Sequence, residues 1–316
     1  AGVEGIRIGD TLADFEQPAG LPVIKIEEPT VKMTFSINTS PFAGNEGDYS
    51  TARQMKDRLT RELLNDVALR MDDLAGSDSS WVISGRGELH LSILIEKMRR
   101  EGYEFQVAKP EVIMHEEDGV TKEPFEDVYI ETPEAFAGTV IEKMGRRKGE
   151  MKDMKADRGI THMHFIVPTR GLIGYRSEFL SDTKGEGIFN TLFNAYLPHA
   201  GEMKALQHGS LIAFEGGTAT QYGLVAAQER GQLFVFPGTE VYEGMIVGQN
   251  AKSEDLEVNV CRAKKMSNMR SKGEGAAEHF DTPKTLSLEE CVEYLGDDEL
   301  LEVTPGSWNF DIEAGF

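Results

Sequence analysis

The chain has 316 residues, 40% of them hydrophobic and 28% charged, with 33 lysines and arginines against 54 aspartates and glutamates and a formal charge of −21. That length suffices for two or three domains, while no apolar run approaches the roughly 18 residues of a membrane helix and no basic start with an apolar signal core opens the chain. The acidic balance excludes indiscriminate binding to nucleic acid, because the average field repels phosphate; any contact with RNA has to be local and oriented.

Residues 1–22 contain Gly5-Ile-Arg-Ile-Gly-Asp-Thr-Leu and then Pro18, Gly20 and Pro22. They read as one or two strands and a linker, and a chain that starts in mid-pattern reads as a fragment. Over 23–118 the order is strand, helix, strand, strand, helix, strand. Val31, Met33, Phe35 and Ile37 alternate on one strand, and Asp48 or Ser50 caps a helix bearing Met55, Leu59 and Leu63. Short strands follow near 68–71 and 81–84, then a helix over 88–101 with Leu91, Leu94, Ile95 and Met98 on one face, and a strand over 104–107. The same order repeats over 119–198. A strand covers 127–131, a helix capped by Thr132 and opened by Pro133 runs to Gly145, a hairpin joins 149–155 to 160–168, a helix spans 170–182, and a strand closes at 189–197. Over 199–305, Gly-rich turns separate the apolar runs 210–214, 232–236 and 241–247, with short helices at 221–228 and after Ser287. The expected fold class is α+β: two tandem ferredoxin-like βαββαβ sandwiches followed by a mainly β C-terminal domain.

Against the acidic background, the span from Arg262 to Lys272 holds Arg262, Lys264, Lys265, Arg270 and Lys272 and no carboxylate. Small and polar residues separate these cations and Gly273 and Gly275 follow, so the segment reads as a loop able to lay charge along a phosphate backbone; the alternative is a solvated charged loop. A second cluster comprises Lys143, Arg146, Arg147, Lys148, Lys152, Lys155 and Arg158, diluted by Glu142, Glu150, Asp153 and Asp157. Within it Arg146, Arg147 and Lys148 share a helix-to-strand turn and are candidate RNA contacts, or else a solvated turn. Arg170, Arg176 and Lys184 add weakly. His162 and His164 point to the same face of a strand, but no third ligand follows at matching spacing, and a polar, partner-facing surface is preferred to a metal pair. Glu88 and His90 do not reproduce the i, i+4 histidines of HExxH. Cys261 and Cys291 are too few and isolated for a disulfide framework or a nucleophile and fit a reducing, cytoplasmic compartment. Neither GxxxxGK[ST] nor a strand followed by GxGxxG is present, so no catalytic residue, cofactor, metal or small-molecule substrate is expected of these residues.

The run Ser84-Gly-Arg-Gly-Glu-Leu-His-Leu-Ser-Ile-Leu-Ile-Glu-Lys-Met-Arg-Arg-Glu-Gly-Tyr-Glu resembles the third domain of the elongation factor G group of translational GTPases. Val167-Pro-Thr-Arg-Gly-Leu-Ile-Gly-Tyr-Arg-Ser-Glu-Phe-Leu-Ser-Asp-Thr-Lys-Gly-Glu-Gly is similar to that group's fifth domain. Gly-Gln-Leu-Phe-Val at 231–235, Val-Tyr-Glu-Gly-Met-Ile-Val-Gly at 241–248 and Asn-Met-Arg-Ser at 268–271 are similar to one ribosome-associated member, and the likeness extends to about Pro305. This resemblance implies a monomeric, non-catalytic piece of a GTPase, whose GTP- and Mg-binding domain and most of a β-barrel lie before Ala1. It further implies docking at the ribosomal A site, with contacts to rRNA and tRNA and the basic loop reaching toward the tRNA acceptor end. Members usually continue past the equivalent of Glu302-Val-Thr-Pro into a basic tail, whereas 306–316 here is neither long nor basic and reads as a truncated or added end. The rival reading is a protein-interaction scaffold that presents open sheet faces or edges.

Overall fold

The computed structural model describes residues 8, 11, 13–16, 18–22, 28–203, 209–263 and 279–312, and within them the chain is a mixed α+β protein. The strands expected within 1–22 fall largely outside the described residues.

Strand β1 (Val31–Ile37) buries Val31, Met33 and Phe35, so its period of two sets one face against helices. Helix α1 (Ala52–Asn65) is capped by Thr51 rather than Asp48 or Ser50. The Thr51 backbone is extended, its hydroxyl accepts from the Gln54 N–H, and the Gln54 side chain accepts from the Thr51 N–H in return. There follow β2 (Arg70–Asp73), β3 (Ser80–Gly85), α2 (Glu88–Arg100), which buries Leu91, Leu94, Ile95 and Met98, and β4 (Phe105–Ala108). These strands lie in the order β4-β1-β3-β2, with every pairing antiparallel. β5 (Glu111–Val112) pairs with the start of β1.

β6 (His115–Glu117) leads into β7 (Val120–Pro133), α3 (Glu134–Arg146), β8 (Glu150–Asp157) and β9 (Ile160–Pro168), then α4 (Thr169–Leu172), α5 (Tyr175–Asp182) and β10 (Ile188–Pro198). Their order is β10-β7-β9-β8, and Val128, Ile130, Met163 and Phe165 pack beneath Val140, Met144, Tyr175 and Phe179. The single helix expected over 170–182 is interrupted. Gly174 takes a φ of +73°, a left-handed conformation that ends one helix and opens the next, and a Cβ there would collide with Glu293. Thr132 is still strand, and Pro133 occupies the cap position of α3.

The remaining described elements are β11 (Ser210–Ala213), β12 (Gly217–Thr218), α6 (Gln221–Gln228), β13 (Gly231–Leu233), β14 (Glu240–Val241), β15 (Ile246–Asn250), β16 (Leu256–Val258), α7 (Leu288–Tyr294), β17 (Glu299–Val303) and β18 (Trp308–Ile312). Residues 308–312, set apart in the sequence as part of a tail, form a strand beside β17. On its other side β17 pairs antiparallel with β4, so one sheet runs β16-β11-β15-β18-β17-β4-β1-β3-β2. Leu301, Val303 and Phe310 accordingly share a core with Phe35, Phe105 and Val107.

Two carboxylates lie under this seam, Glu104 and Glu302, each 0% exposed. The Asn38 amide donates to both at 2.6 Å, Ser40 donates to Glu302 at 2.6 Å, and the Gly44 N–H donates to Glu104 at 2.7 Å. Neutral donors thus replace the water that each side chain gave up on burial.

A second polar junction joins α2, α7 and the α4–α5 break. Glu88 accepts the Gly174 N–H at 3.0 Å; burial pushes its carboxyl up to about 6, with the Gly174 bond and Arg147 opposing and Glu289 adding. Burial likewise pushes Glu293 up to about 7, eased by Arg147 and increased by Glu88, Glu178 and Glu290.

Candidate nucleic-acid interface

The chain entering the basic segment is held by α6. The Thr220 hydroxyl caps this helix by accepting from the Gly223 N–H at 3.0 Å, donates to the Arg262 carbonyl at 2.5 Å, and the Thr220 N–H donates to the Val260 carbonyl at 2.9 Å. A Cβ on Gly223 would overlap the Val260 carbonyl, so glycine lets the strand end lie directly on the first turn of the helix. The Arg262 guanidinium lies 5.6 Å from the centre of the Tyr222 ring, a cation–π distance, and the side chain is exposed.

The chain leaving the segment is held by the other end of the same helix. The Gln228 amide donates to the His279 carbonyl at 2.6 Å and accepts from the Asp281 N–H at 3.0 Å. Both anchors of the 264–278 span therefore sit on an eight-residue helix, about 12 Å long. Lys264, Lys265, Arg270 and Lys272 lie outside the described residues, so of the basic-loop candidates only Arg262 is placed. Beside it Cys261 donates weakly to the Glu215 carbonyl at 3.7 Å; burial pushes its thiol up, as do the charges of Glu215 and Glu240, which keeps it a poor nucleophile.

The 146–148 turn divides its three cations. Arg146 is exposed and pairs with Glu142 at 2.5 Å, one helical turn back. Lys148 is exposed with a φ of +61°, in the reversal that lets the Gly149 N–H reach the Met144 carbonyl at 2.8 Å. Arg147 turns inward: it donates to the Gly171 carbonyl at 2.8 Å and to Glu178 at 2.6 Å, and stands 4.9 Å from the Tyr175 ring centre. Lys143 is also engaged, with Glu178 at 2.7 Å and Asp182 at 2.6 Å; burial lowers its ammonium pKa, but these two bonds outweigh it and hold the group above its ordinary value. Arg170 holds the buried Glu123, which leaves Arg176 exposed. The sequence counts these cations alike, and the fold spends Lys143, Arg147 and Arg170 on internal carboxylates.

His162 and His164 share the open face of the second sheet. His164 bonds Asp127 at 2.6 Å and stacks on Tyr129 with ring centres 4.6 Å apart, and His162 lies 3.5 Å from Glu131. His90 bonds Asp66 at 2.7 Å. Among the described residues no group of three His, Cys, Asp or Glu side chains could hold a metal ion, and no helix is long and apolar enough to cross a membrane. The clamp residues Thr220 and Gln228 escaped the sequence reading. A cap threonine at 220 was legible; its second bond to Arg262 was not, because it depends on a contact 42 residues away.

Comparison with known proteins adds to this geometry. Residues 208–312 match the family model described as the TypA/BipA C-terminal domain, and residues 120–206 match elongation factor G C-terminus. The chain is 52% identical over 309 residues to the large ribosomal subunit assembly factor BipA of Bacillus subtilis, covering 97% of this chain and 50% of that protein. It is 48% identical over 308 residues to the factor of the same name from Synechocystis, covering 97% of this chain and 51% of the relative. It is also 48% identical over 308 residues to the putative elongation factor TypA-like SVR3, chloroplastic, of Arabidopsis thaliana, covering 97% and 45%. The chain spans about half the length of these relatives.

Proposed function

We propose that this chain, which belongs to the BipA/TypA family, acts as a ribosome-binding module of a translational GTPase and is non-catalytic by itself. The observation that carries the reading is the double clamp: Thr220, at the start of α6, holds the chain at Arg262 where the basic segment begins, and Gln228, at its end, holds it at His279 and Asp281 beyond Lys272. A loop with fixed ends presents its cations with less ordering entropy left to lose on binding, which favours a segment that works by contact with a phosphate backbone. Arg262, Lys264, Lys265, Arg270 and Lys272 contact rRNA or the A-site tRNA in this reading. Arg146 and Lys148 supply a second, weaker contact, and Arg147 serves as the strut that holds their turn. The acidic remainder keeps binding away from this segment weak.

The units 23–118 and 119–198 are assigned as ferredoxin-like sandwiches, supported by the strand orders β4-β1-β3-β2 and β10-β7-β9-β8, and 199–305 as the C-terminal domain that bears the loop. GTP and Mg²⁺ are assigned to the GTPase domain of the longer protein, a reading supported by the lack of a phosphate-loop motif in this sequence. The protein works as a cytoplasmic, ribosome-associated monomer, with no membrane or small-molecule ligand.

Co-sedimentation with ribosomes tests the reading. The parent chain is expected to pellet with them, and a variant with Arg262, Lys264, Lys265, Arg270 and Lys272 changed to Ala to need at least ~10-fold more ribosome for half-binding. Equal binding by the two would assign the contact elsewhere and overturn the proposal.

A further inference from the structure

Three parts of the chain meet at Gly174. Ile173 packs onto the first core, which includes Leu91 of α2 and Leu288 and Val292 of α7. The Gly174 N–H donates to Glu88 of α2 at 3.0 Å, and the Glu293 side chain of α7 fills the place a Cβ on Gly174 would take. From within the second unit, the Arg147 guanidinium holds the Gly171 carbonyl at 2.8 Å and the Ile173 carbonyl at 3.4 Å. A weaker contact lies near the connecting residues 113–114, where the Tyr196 hydroxyl stands 3.5 Å from the Pro29 carbonyl and the Ile113 N–H donates to Thr30 at 2.9 Å. Negative charge is in excess at the joint. Its cations are committed elsewhere: Arg147 and Lys143 bond Glu178 at 2.6 and 2.7 Å, and Lys284 bonds Glu290 at 3.0 Å. Glu88, Glu289 and Glu293 are left without an ion pair among the described residues, with Glu88 half-buried.

From this arrangement we infer that the contact of the α4–α5 break with α2 and α7 is a proton-operated hinge, closed while Glu88 carries a proton and loosened when Glu88, Glu289 and Glu293 are all ionised. Like charges crowd the closed joint, and opening returns them to water. A protonated Glu88 still accepts the Gly174 N–H through its carbonyl oxygen, so closure keeps its bond while losing the repulsion. Burial, with Glu289 adding, pushes the Glu88 carboxyl up to about 6 against the pull of the Gly174 bond and Arg147. Its ordinary value is 4.5, so closure is favoured most below about pH 4.5 and that advantage is lost as pH rises through about 6. Arg147 ties the 146–148 turn to the same break, so the exposed Arg146 and Lys148 swing with the second unit. The hinge follows from the packing around Gly174 and does not depend on the ribosome reading.

Deuterium exchange of the full chain tests the hinge, with each amide rate divided by its intrinsic rate at the same pH. Protection of the Gly174 amide is expected to fall by roughly 10-fold between about pH 4.5 and about pH 8, while the amides of β7 and β9 keep theirs. Glu88→Gln retains an acceptor for the Gly174 N–H and removes the charge, so its Gly174 amide should stay equally protected at both ends of that range. Glu289→Gln, at an exposed position, should move the midpoint of the change to lower pH, because the Glu289 charge helps to raise Glu88. The inference is overturned if Gly174 is protected alike at both pH values or if Glu88→Gln keeps the parent's pH dependence. Loss of protection in β7 and β9 in step with Gly174 would also overturn it, since that reports unfolding of the second unit instead of its movement. Should Glu88→Gln fail to fold, Glu289→Gln decides, and an unmoved midpoint overturns the hinge.

Discussion

The first and second βαββαβ units share a strand order and differ at their edges. In the first, β4 is paired by β17, and the sheet continues into the C-terminal region. In the second, the strand in the place of β4 is β10, which ends the sheet among the described residues, carries no charged side chain and shifts register between Phe193 and Ala195; the opposite outer strand, β8, has all eight residues exposed and carries Glu150, Lys152, Asp153, Lys155 and Asp157. The bulge at β10 and the charges along β8 each work against further pairing, and β4 has neither. One strand order thus continues into a further sheet in one place and, among the described residues, ends at its own outer strands in the other.

The largest break in this comparison is expected where β17 pairs with β4. Leu301→Ala should cost about 2–5 kcal/mol in chemical denaturation, because Leu301 is fully buried in the shared core. Met154→Ala on exposed β8 should stay within about 0.5–1 kcal/mol, and similar losses at both sites would show that the seam carries no special share of the stability. Next comes Asn38→Ala, which leaves Glu104 and Glu302 each short of a donor and should cost about 1–3 kcal/mol; no measurable loss would mean that water satisfies them. Within the second unit, Arg147→Ala should destabilise by about 1–2 kcal/mol by freeing Glu178 and the Gly171 carbonyl, whereas Arg146→Ala should fall within about 0.5 kcal/mol. Equal effects would contradict the inward and outward division of that turn.

A pH slope of similar size to the Arg147 effect is expected at the polar junction that joins α2, α7 and the α4–α5 break. Glu88 moves from its ordinary 4.5 to about 6 on folding, so the native state holds its proton over that range and the unfolded chain does not. Its contribution to stability is therefore full below about pH 4.5 and lost as pH rises through about 6, a difference of about 1–2 kcal/mol. Glu88→Gln should flatten the stability–pH curve in that window, and a curve identical to the parent's would place the titration elsewhere.

What the sequence could reveal follows from how local each cause is. The alternation of Val31, Met33 and Phe35 and the cap at Ser287 depend on neighbours within four residues, and both are found in the structure. Helix α6 was legible at its full extent for the same reason. The pairing of β17 with β4 was not, because nothing within Glu299–Val303 names a partner nearly 200 residues away. The break at Gly174 depends on Glu293 of another element, and the run over 232–236 is strand only to Leu233, while the Phe234 N–H still donates to the Val247 carbonyl and its ring packs on Tyr294 and Phe310. For the candidate site, counting charge located the segment and the turn, but Arg147 differs from Arg146 only through Glu178, Gly171 and Tyr175.

The clamped basic segment as an RNA contact is tested most directly by the salt dependence of ribosome affinity, measured for the parent and for the variant with Arg262, Lys264, Lys265, Arg270 and Lys272 changed to Ala. The account predicts a steep fall of log affinity with log salt for the parent and a shallower one for the variant, the slopes differing by roughly 0.7–0.9 for each phosphate contact removed. Parallel lines would contradict it, since cations that leave the salt slope unchanged when removed do not touch phosphate.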